Sequence, residues 1–302
     1  MSEAFGILVG GEWRDSESGR TYEKRSPWQP DLVTGTFAAA TAADAADAVA
    51  AAAEAQPAWA ALPAERRAAI FRAAAAALDE RAERVAQDMT AEMGKPLREA
   101  RGEASRAATI LRFAAGECWR PAGEVYEASA PDQMLFTRRR PVGVVGLITP
   151  WNFPAAIPVW KLAPALVYGN AVVLKLGYEA PRTGLHLAEC LAEAGVPPGV
   201  LNVLTGSGSE AGAELVRNAG VRALSFTGSV PVGHGVREGA SARNCRVQLE
   251  LGGHNPLLVM ADAELDRAVE AAYAGAFWSA GQKCTATRRI YVEDAAYDDF
   301  RR

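Results

Sequence analysis

The sequence predicts an α/β fold built on a doubly wound parallel sheet, and two observations carry that expectation. Short, almost wholly apolar runs recur from residue 142 to residue 251: "VGVVGLI", "AVVLKL", "VLNVL", "ALSFTG" and "RVQLEL". Helical patterns near residues 154–168, 181–194, 209–219 and 230–241 separate them. Strands that apolar are buried on both faces, and their alternation with helices builds a parallel sheet through right-handed crossovers.

Ahead of the strands, residues 36–120 are rich in alanine, with arginine and glutamate at helical spacing. Ile70, Ala74, Leu78, Val85 and Met89 fall on one face, Pro63 suits a first helical turn, and "GKP" at 94–96 is a stop signal. Residues 97–119 form a further helix that buries Leu97, Ala104, Ala108, Leu111 and Ala115, before Pro121 and Gly123 break it. None of these helices gathers convergent polar groups, so they are expected to be scaffold.

Composition narrows the partners. The chain has 302 residues, is 49% hydrophobic and 23% charged, and carries a net charge of -4. That suits a large globular core and offers no basic field for nucleic acid. The one dense basic stretch, "TRRRP" at 137–141, reads as a solvated strand or loop. No signal-peptide pattern opens the chain and no run reaches membrane-spanning length, so a cytoplasmic location is the expectation. Cys118, Cys190, Cys245 and Cys284 are widely spaced and are expected to be reduced thiols. With only His186, His234 and His254 available, none in an H-E-x-x-H pattern, no metal site is expected.

Sheets of this kind bind ligands at the carboxyl ends of their strands. There stand "TPWNFP" (149–154), Lys175, "TGSGSEAG" (205–212) and "FTGSVPVG" (226–233). The third is glycine-rich but does not match the dinucleotide fingerprint spacing. In the fourth, Gly228 permits a tight turn and Ser229 is placed to cap a helix facing a pyrophosphate, a reading that an ordinary strand-to-helix turn shares. The fifth strand ends in "LELGGHNP", setting Glu250 before a Gly-Gly turn, where it is either a surface glutamate or a carboxylate placed to move a proton.

Taken in order, "LITPWNFP", "FTGS-x-x-x-G", "LELGG-x-NP" and "GQKCTA" resemble the NAD(P)-dependent aldehyde dehydrogenase superfamily, and "GGEW" and "RSPWQP" look like its opening. Within it the chain is most similar to the 2,5-dioxopentanoate (α-ketoglutarate semialdehyde) dehydrogenases, with succinate semialdehyde dehydrogenases as neighbours. The resemblance implies a Rossmann-like nucleotide-binding core over residues 142–250, with residues 1–120 as its N-terminal helical part. It also implies an excursion of oligomerisation-type strands at 121–141 and the first part of an α/β catalytic domain at 251–302.

By the same resemblance Cys284 is the nucleophile, Glu250 the general base and Asn152 the oxyanion donor, together with the Cys284 backbone N–H. The substrate would be a small semialdehyde and the cofactor NAD or NADP. Thr149, Pro150, Trp151 and Lys175 match the adenosine and ribose side of the cofactor, and Gly228, Ser229 and Val232 the pyrophosphate. Ile148, Asn152, Tyr178, Gly208, Gly212, Phe226, Thr227, Gly233, Leu251 and Gly252 complete the cofactor set. Two departures stand out: Leu176 and Tyr178 replace the proline and the ribose-binding glutamate of the family's "KPxE", and His254 replaces a lysine. Without that glutamate to repel it, a 2'-phosphate is admissible near Lys175.

Two competing readings are a fragment that at most binds nucleotide, and a cysteine hydrolase. The second lacks a histidine in any motif with Cys284. The chain stops in a helical pattern, "EDAAYDDFRR". The expectation is therefore a truncated dehydrogenase whose residues 251–302 expose apolar surface. Its relatives would be homo-oligomers.

Overall fold

A computed structural model of the protein describes residues 3–302. Its first elements are short strands, β1 (Ala4–Phe5), β2 (Ile7–Val9), β3 (Glu12–Arg14), β4 (Thr21–Arg25) and β5 (Val33–Ala38). The helices α1 (Ala42–Ala61), α2 (Ala64–Glu80), α3 (Ala82–Met93) and α4 (Leu97–Glu117) follow. A small hairpin, β6 (Val125–Tyr126) and β7 (Leu135–Phe136), leads to the alternating region. That region runs β8 (Val144–Ile148), α5 (Ala156–Val167), β9 (Ala171–Lys175), α6 (Pro181–Glu193) and β10 (Leu201–Leu204). It continues with α7 (Ala213–Arg217), β11 (Val221–Gly228), α8 (Val230–Ser241) and β12 (Arg246–Leu251). The chain closes with β13 (Asn255–Val259), α9 (Leu265–Phe277), β14 (Thr287–Val292) and α10 (Asp294–Arg301).

The main sheet has the order β12-β11-β8-β9-β10-β2-β3. Its strands β8 to β12 are the five apolar runs, and every pairing among them is parallel. β8, β9 and β10 are complete in burial, as strands covered by helices on both sides should be. The order steps outward from β8 in one direction through β9 and β10, and in the other through β11 and β12. The topological switch point therefore lies between β8 and β11.

At the N-terminus the sequence reading has only helices, and the structure differs. β2 and β3 extend the main sheet by antiparallel pairing, while β1, β5 and β4 form a sheet of their own. Strands of two to six residues are too short for a period-2 pattern to register, which is why the apolar alternation did not announce them. The helices behave as read. Ala74, Leu78, Val85 and Met89 are fully buried, and Gly94 ends α3 in the left-handed conformation at φ 75°. The expected helix over 209–219 is looser: a π-helical turn at Gly208–Gly212 precedes the short α7.

Three helix N-termini next to the sheet are capped by carboxylates, one from the helix's own first turn and two from other helices. Asp44 forms a capping box with Thr41 at α1 and also accepts a bond from Ser16 Oγ at 2.7 Å. Glu92, from α3, accepts from Arg182 N at 2.7 Å, Thr183 N at 2.9 Å and Thr183 Oγ1 at 2.8 Å, closing the first turn of α6. Glu103, from α4, accepts from Ala155 N and Ala156 N, both at 3.0 Å, at the start of α5. Each carboxylate satisfies orphan N–H groups and faces the positive end of a helix dipole. Burial still pushes the Glu92 carboxyl up to about 7, against the pull of those donors.

His186 on α6 is buried between Asp88, at 2.7 Å from Nε2, and Glu189, at 3.3 Å from Nδ1, with Arg182 alongside. Burial alone lowers its pKa, but the two carboxylates outweigh that and the net shift is upward. A raised folded pKa means that His186 contributes stability in full below its unfolded value of about 6.5, and that this is lost as pH rises through the folded value. The urea midpoint of wild type minus that of His186→Gln is expected to shrink as pH rises above about 6.5. A pH-independent difference would contradict the assignment.

The β6–β7 hairpin leaves Val125, Met134 and Phe136 exposed. β13 and β14 form a separate parallel pair bridged by α9, and here too Leu258, Tyr273 and Phe277 face solvent. Among the described residues no helix is long and apolar enough to cross a membrane.

Candidate active site

A cavity of about 370 Å³ opens at the switch point. One wall is the loop after β8 (Pro150, Trp151, Asn152), a second the end of β11 (Thr227, Gly228, Ser229), a third Leu251 and Gly252 after β12. The fourth wall is the Gln282–Cys284 turn with Arg288. The chain thus brings together Cys284, Asn152 and two strand ends that are far apart in sequence. A larger groove of about 710 Å³ lies at the foot of the β6–β7 hairpin, lined by Arg67, Arg120 and the exposed Arg138, Arg139 and Arg140. It lies away from the strand ends and from Cys284, so the smaller cavity is the better candidate.

Cys284 is exposed, whereas Cys190 and Cys245 are buried and Cys118 half-buried. Burial also pushes the Cys118 and Cys190 thiols up. In an iodoacetamide time course read by peptide mass spectrometry, Cys284 is expected to react at least about tenfold faster than the other three. Equal rates would remove the case for a reactive thiol there.

The turn that carries Cys284 is held from several sides. Ser279, Ala280 and Gly281 have consecutive positive φ values of 60°, 54° and 69°, a conformation that costs free energy at the two non-glycine positions. Ser279 N donates to Glu99 on α4, Gln282 Nε2 donates to Met93 O at 3.1 Å, and Asn255 Nδ2 donates to Cys284 O at 2.6 Å. Asn152 Nδ2 donates to Gln282 O at 2.9 Å, which engages one of its two amide hydrogens. Its Oδ1 is buried without a partner.

Lys95 was legible only as part of a helix stop, yet it stabilises the other wall. Its Nζ donates to Asn152 O at 2.8 Å, forms a buried ion pair with Glu103, and sits 3.9 Å from the centre of the Phe153 ring. Burial holds the Lys95 ammonium below the usual lysine range, with Glu103 acting against that. Through the Glu103 cap on Ala155 and Ala156, this pair fixes both ends of the "WNFP" loop. Gly177 supports the same loop, since a Cβ there would come within 2.7 Å of the Pro150 backbone.

Other residues sit differently from the sequence reading. Glu250 lies off the cavity wall: it is exposed on β12 and accepts a bond from Gln248 Nε2 at 2.7 Å. Gly228 needs no positive φ for its turn; a side chain there would meet the Phe226 ring at 2.5 Å. A Cβ at Gly233 would come 2.5 Å from the end of the Leu251 side chain. Ser229 occupies the N-cap of α8 but makes no side-chain capping bond, and Thr227 Oγ1 is buried without a partner. Val232 is exposed. Ile148, Lys175, Tyr178, Gly208 and Gly212 lie outside this cavity, along the ends of β8, β9 and β10. There burial pushes the Lys175 ammonium down to about 8, with Glu179 opposing.

Cys284 and Asn152 thus meet at the ligand-binding edge of a doubly wound sheet, in a cavity that no histidine lines. Residues 13–302 match the aldehyde dehydrogenase family, and the chain belongs to that family. It is 45% identical to the alpha-ketoglutaric semialdehyde dehydrogenase of Bacillus subtilis, covering 97% of this chain and 60% of that one. It is 43% identical to the succinate-semialdehyde dehydrogenase [NADP(+)] GabD of Escherichia coli, covering 97% and 61%. The crystal structure of an NAD-dependent aldehyde dehydrogenase from Sinorhizobium meliloti superposes with a TM-score of 0.96 at 38% identity, over 100% of this chain and 60% of that one. The chain therefore spans about three fifths of the length of the relatives it matches.

Proposed function

We propose that the protein binds NAD or NADP at the switch-point edge and oxidises a small semialdehyde of the 2,5-dioxopentanoate kind to its carboxylate. The observation that supports this best is the shared cavity of Cys284, Asn152 and the β8 and β11 strand ends. The residues fit a dinucleotide: the unpartnered Thr227 hydroxyl and the uncapped N-terminus of α8 at Ser229 are free for phosphate oxygens. When bound, the nicotinamide supplies a hydride acceptor.

The Cys284 thiolate adds to the aldehyde carbon, and the new C–S bond leaves negative charge on the oxygen. The remaining Asn152 N–H and the Cys284 backbone N–H stabilise that oxygen. Loss of hydride from the same carbon leaves a thioester on Cys284. Water then attacks the acyl carbon, Glu250 takes its proton, and the C–S bond breaks to return the thiolate and release the acid. For that step Glu250 must leave Gln248 and turn towards the cavity that its neighbour Leu251 lines.

Absorbance at 340 nm with 2,5-dioxopentanoate, succinate semialdehyde and glutarate semialdehyde, each with both cofactors, tests this. Turnover with at least one pair supports the reading. The position of Glu250 and the uncovered apolar faces of β13 and α9 favour a second reading, nucleotide binding without turnover. Cofactor binding with no absorbance change under any pair would select it. The exposed apolar hairpin β6–β7 is the segment we assign to self-assembly.

A further inference from the structure

The corner between α3 and α4 touches both sides of the cavity that holds Cys284. Met93 is the last residue of α3, and its carbonyl, one of those a helix end leaves free, accepts the bond from Gln282 Nε2. Glu99 lies in the first turn of α4 and accepts from Ser279 N. Between them in the chain, Lys95 donates to the Asn152 carbonyl. Residues 93–99 thus reach the turn before Cys284 on one side and the loop of the amide donor on the other.

The Glu99 contact bears on the costliest stretch of backbone in the cavity wall. Ser279, Ala280 and Gly281 are all left-handed, and the first two carry a Cβ that disfavours the conformation. Such a turn persists only where its surroundings over-determine it. Gln282 N closes it by donating to Ser279 O at 3.0 Å. The Ser279 hydroxyl adds no anchor, since its Oγ is buried without a partner. Ser279 itself is buried, so its N–H needs an acceptor from the protein, and a carboxylate makes that bond stronger than a neutral group would. Downstream, Asn255 on β13 fixes the Cys284 carbonyl, but β13 belongs to the same part of the chain as Cys284. Glu99 instead crosses to the helices that hold Asn152. The direct bond from Asn152 Nδ2 to Gln282 O uses a rotatable side chain, whereas Glu99 holds backbone.

We propose that Glu99 is a positioning residue: by accepting the Ser279 N–H it holds the left-handed turn and sets the Cys284 thiol in register with the Asn152 amide. The inference rests on the dehydrogenase reading above, which gives Glu99 no part. Glu99→Ala and Glu99→Gln, assayed at 340 nm with the semialdehyde that wild type turns over fastest, test it beside iodoacetamide mapping. Glu99→Ala is expected to lower kcat at least about thirtyfold, as a reacting group displaced by about 1 Å would, while cofactor affinity changes less than about twofold. Glu99→Gln keeps an acceptor at the same reach and should retain kcat within about fivefold. In both variants Cys284 should alkylate within about threefold of its wild-type rate, since alkylation needs the thiolate but not the amide donor. Cys190 and Cys245 should stay protected. A merely structural role gives another pattern: the buried cysteines label and cofactor affinity falls together with kcat, and the inference is overturned. A Glu99→Ala kcat within about threefold of wild type overturns it too, as does a Glu99→Gln variant as slow as Glu99→Ala; both leave the dehydrogenase reading standing. If wild type itself turns over no semialdehyde with either cofactor, that reading fails and this inference falls with it.

Discussion

Cys284→Ser is expected to lower aldehyde-dependent reduction of the cofactor by at least about a thousandfold, while cofactor affinity changes by less than about twofold. Serine keeps the size and the backbone N–H, so neither the Asn255 bond to the residue 284 carbonyl nor the Asn152 bond to Gln282 should be disturbed. What changes is the nucleophile. A hydroxyl is far less ionised than a thiol at neutral pH, and no histidine is among the residues that line the cavity with position 284 to serve as its base. Rate measurements at 340 nm beside fluorescence titration of the cofactor separate the two effects. A serine variant retaining a tenth of the wild-type rate would show that the thiol does not form the covalent intermediate.

The parallel core and the site's position were legible because both depend on local signals. Apolar runs such as "AVVLKL" bury on both faces, and the strand ends then point to the ligand edge. Cys284, Asn152, Gly228 and Ser229 meet there because each lies in the turn immediately after a strand or a strained loop. Orientation was less legible. Glu250 has the right place in the chain, but its carboxylate turns to Gln248, since alternate residues of β12 face opposite sides and nothing in the motif fixes the rotamer. The supporting groups were not legible at all. Glu103 and Glu92 are glutamates within amphipathic helices, where a solvated face is the ordinary expectation. Only tertiary packing reveals that each caps a helix more than fifty residues away. The bond from Ser279 N to Glu99 is equally non-local.

Glu103→Ala is expected to have the largest effect on stability, about 3–5 kcal/mol, because it leaves the buried Lys95 ammonium without its counter-charge. The same change orphans the N–H groups of Ala155 and Ala156 at the first turn of α5. Lys95→Met should cost less, since the Glu103 carboxylate then keeps both N–H donors and the helix dipole, and the methionine stem fills a site only 1% exposed. Combining Lys95→Met with Glu103→Gln should cost less than the sum of the two single changes, as removing both charges removes the reason each one is missed. Urea unfolding of wild type, Glu103→Ala, Lys95→Met, Glu103→Gln and the double variant checks the order and the additivity. Activity provides an independent reading, because Lys95 also holds the Asn152 carbonyl: Lys95→Met should lower kcat with little change in cofactor affinity, as a loosened oxyanion donor would. A Glu103→Ala protein within about 1 kcal/mol of wild type would mean that water enters to solvate Lys95, and that the "WNFP" loop is held by its own packing instead.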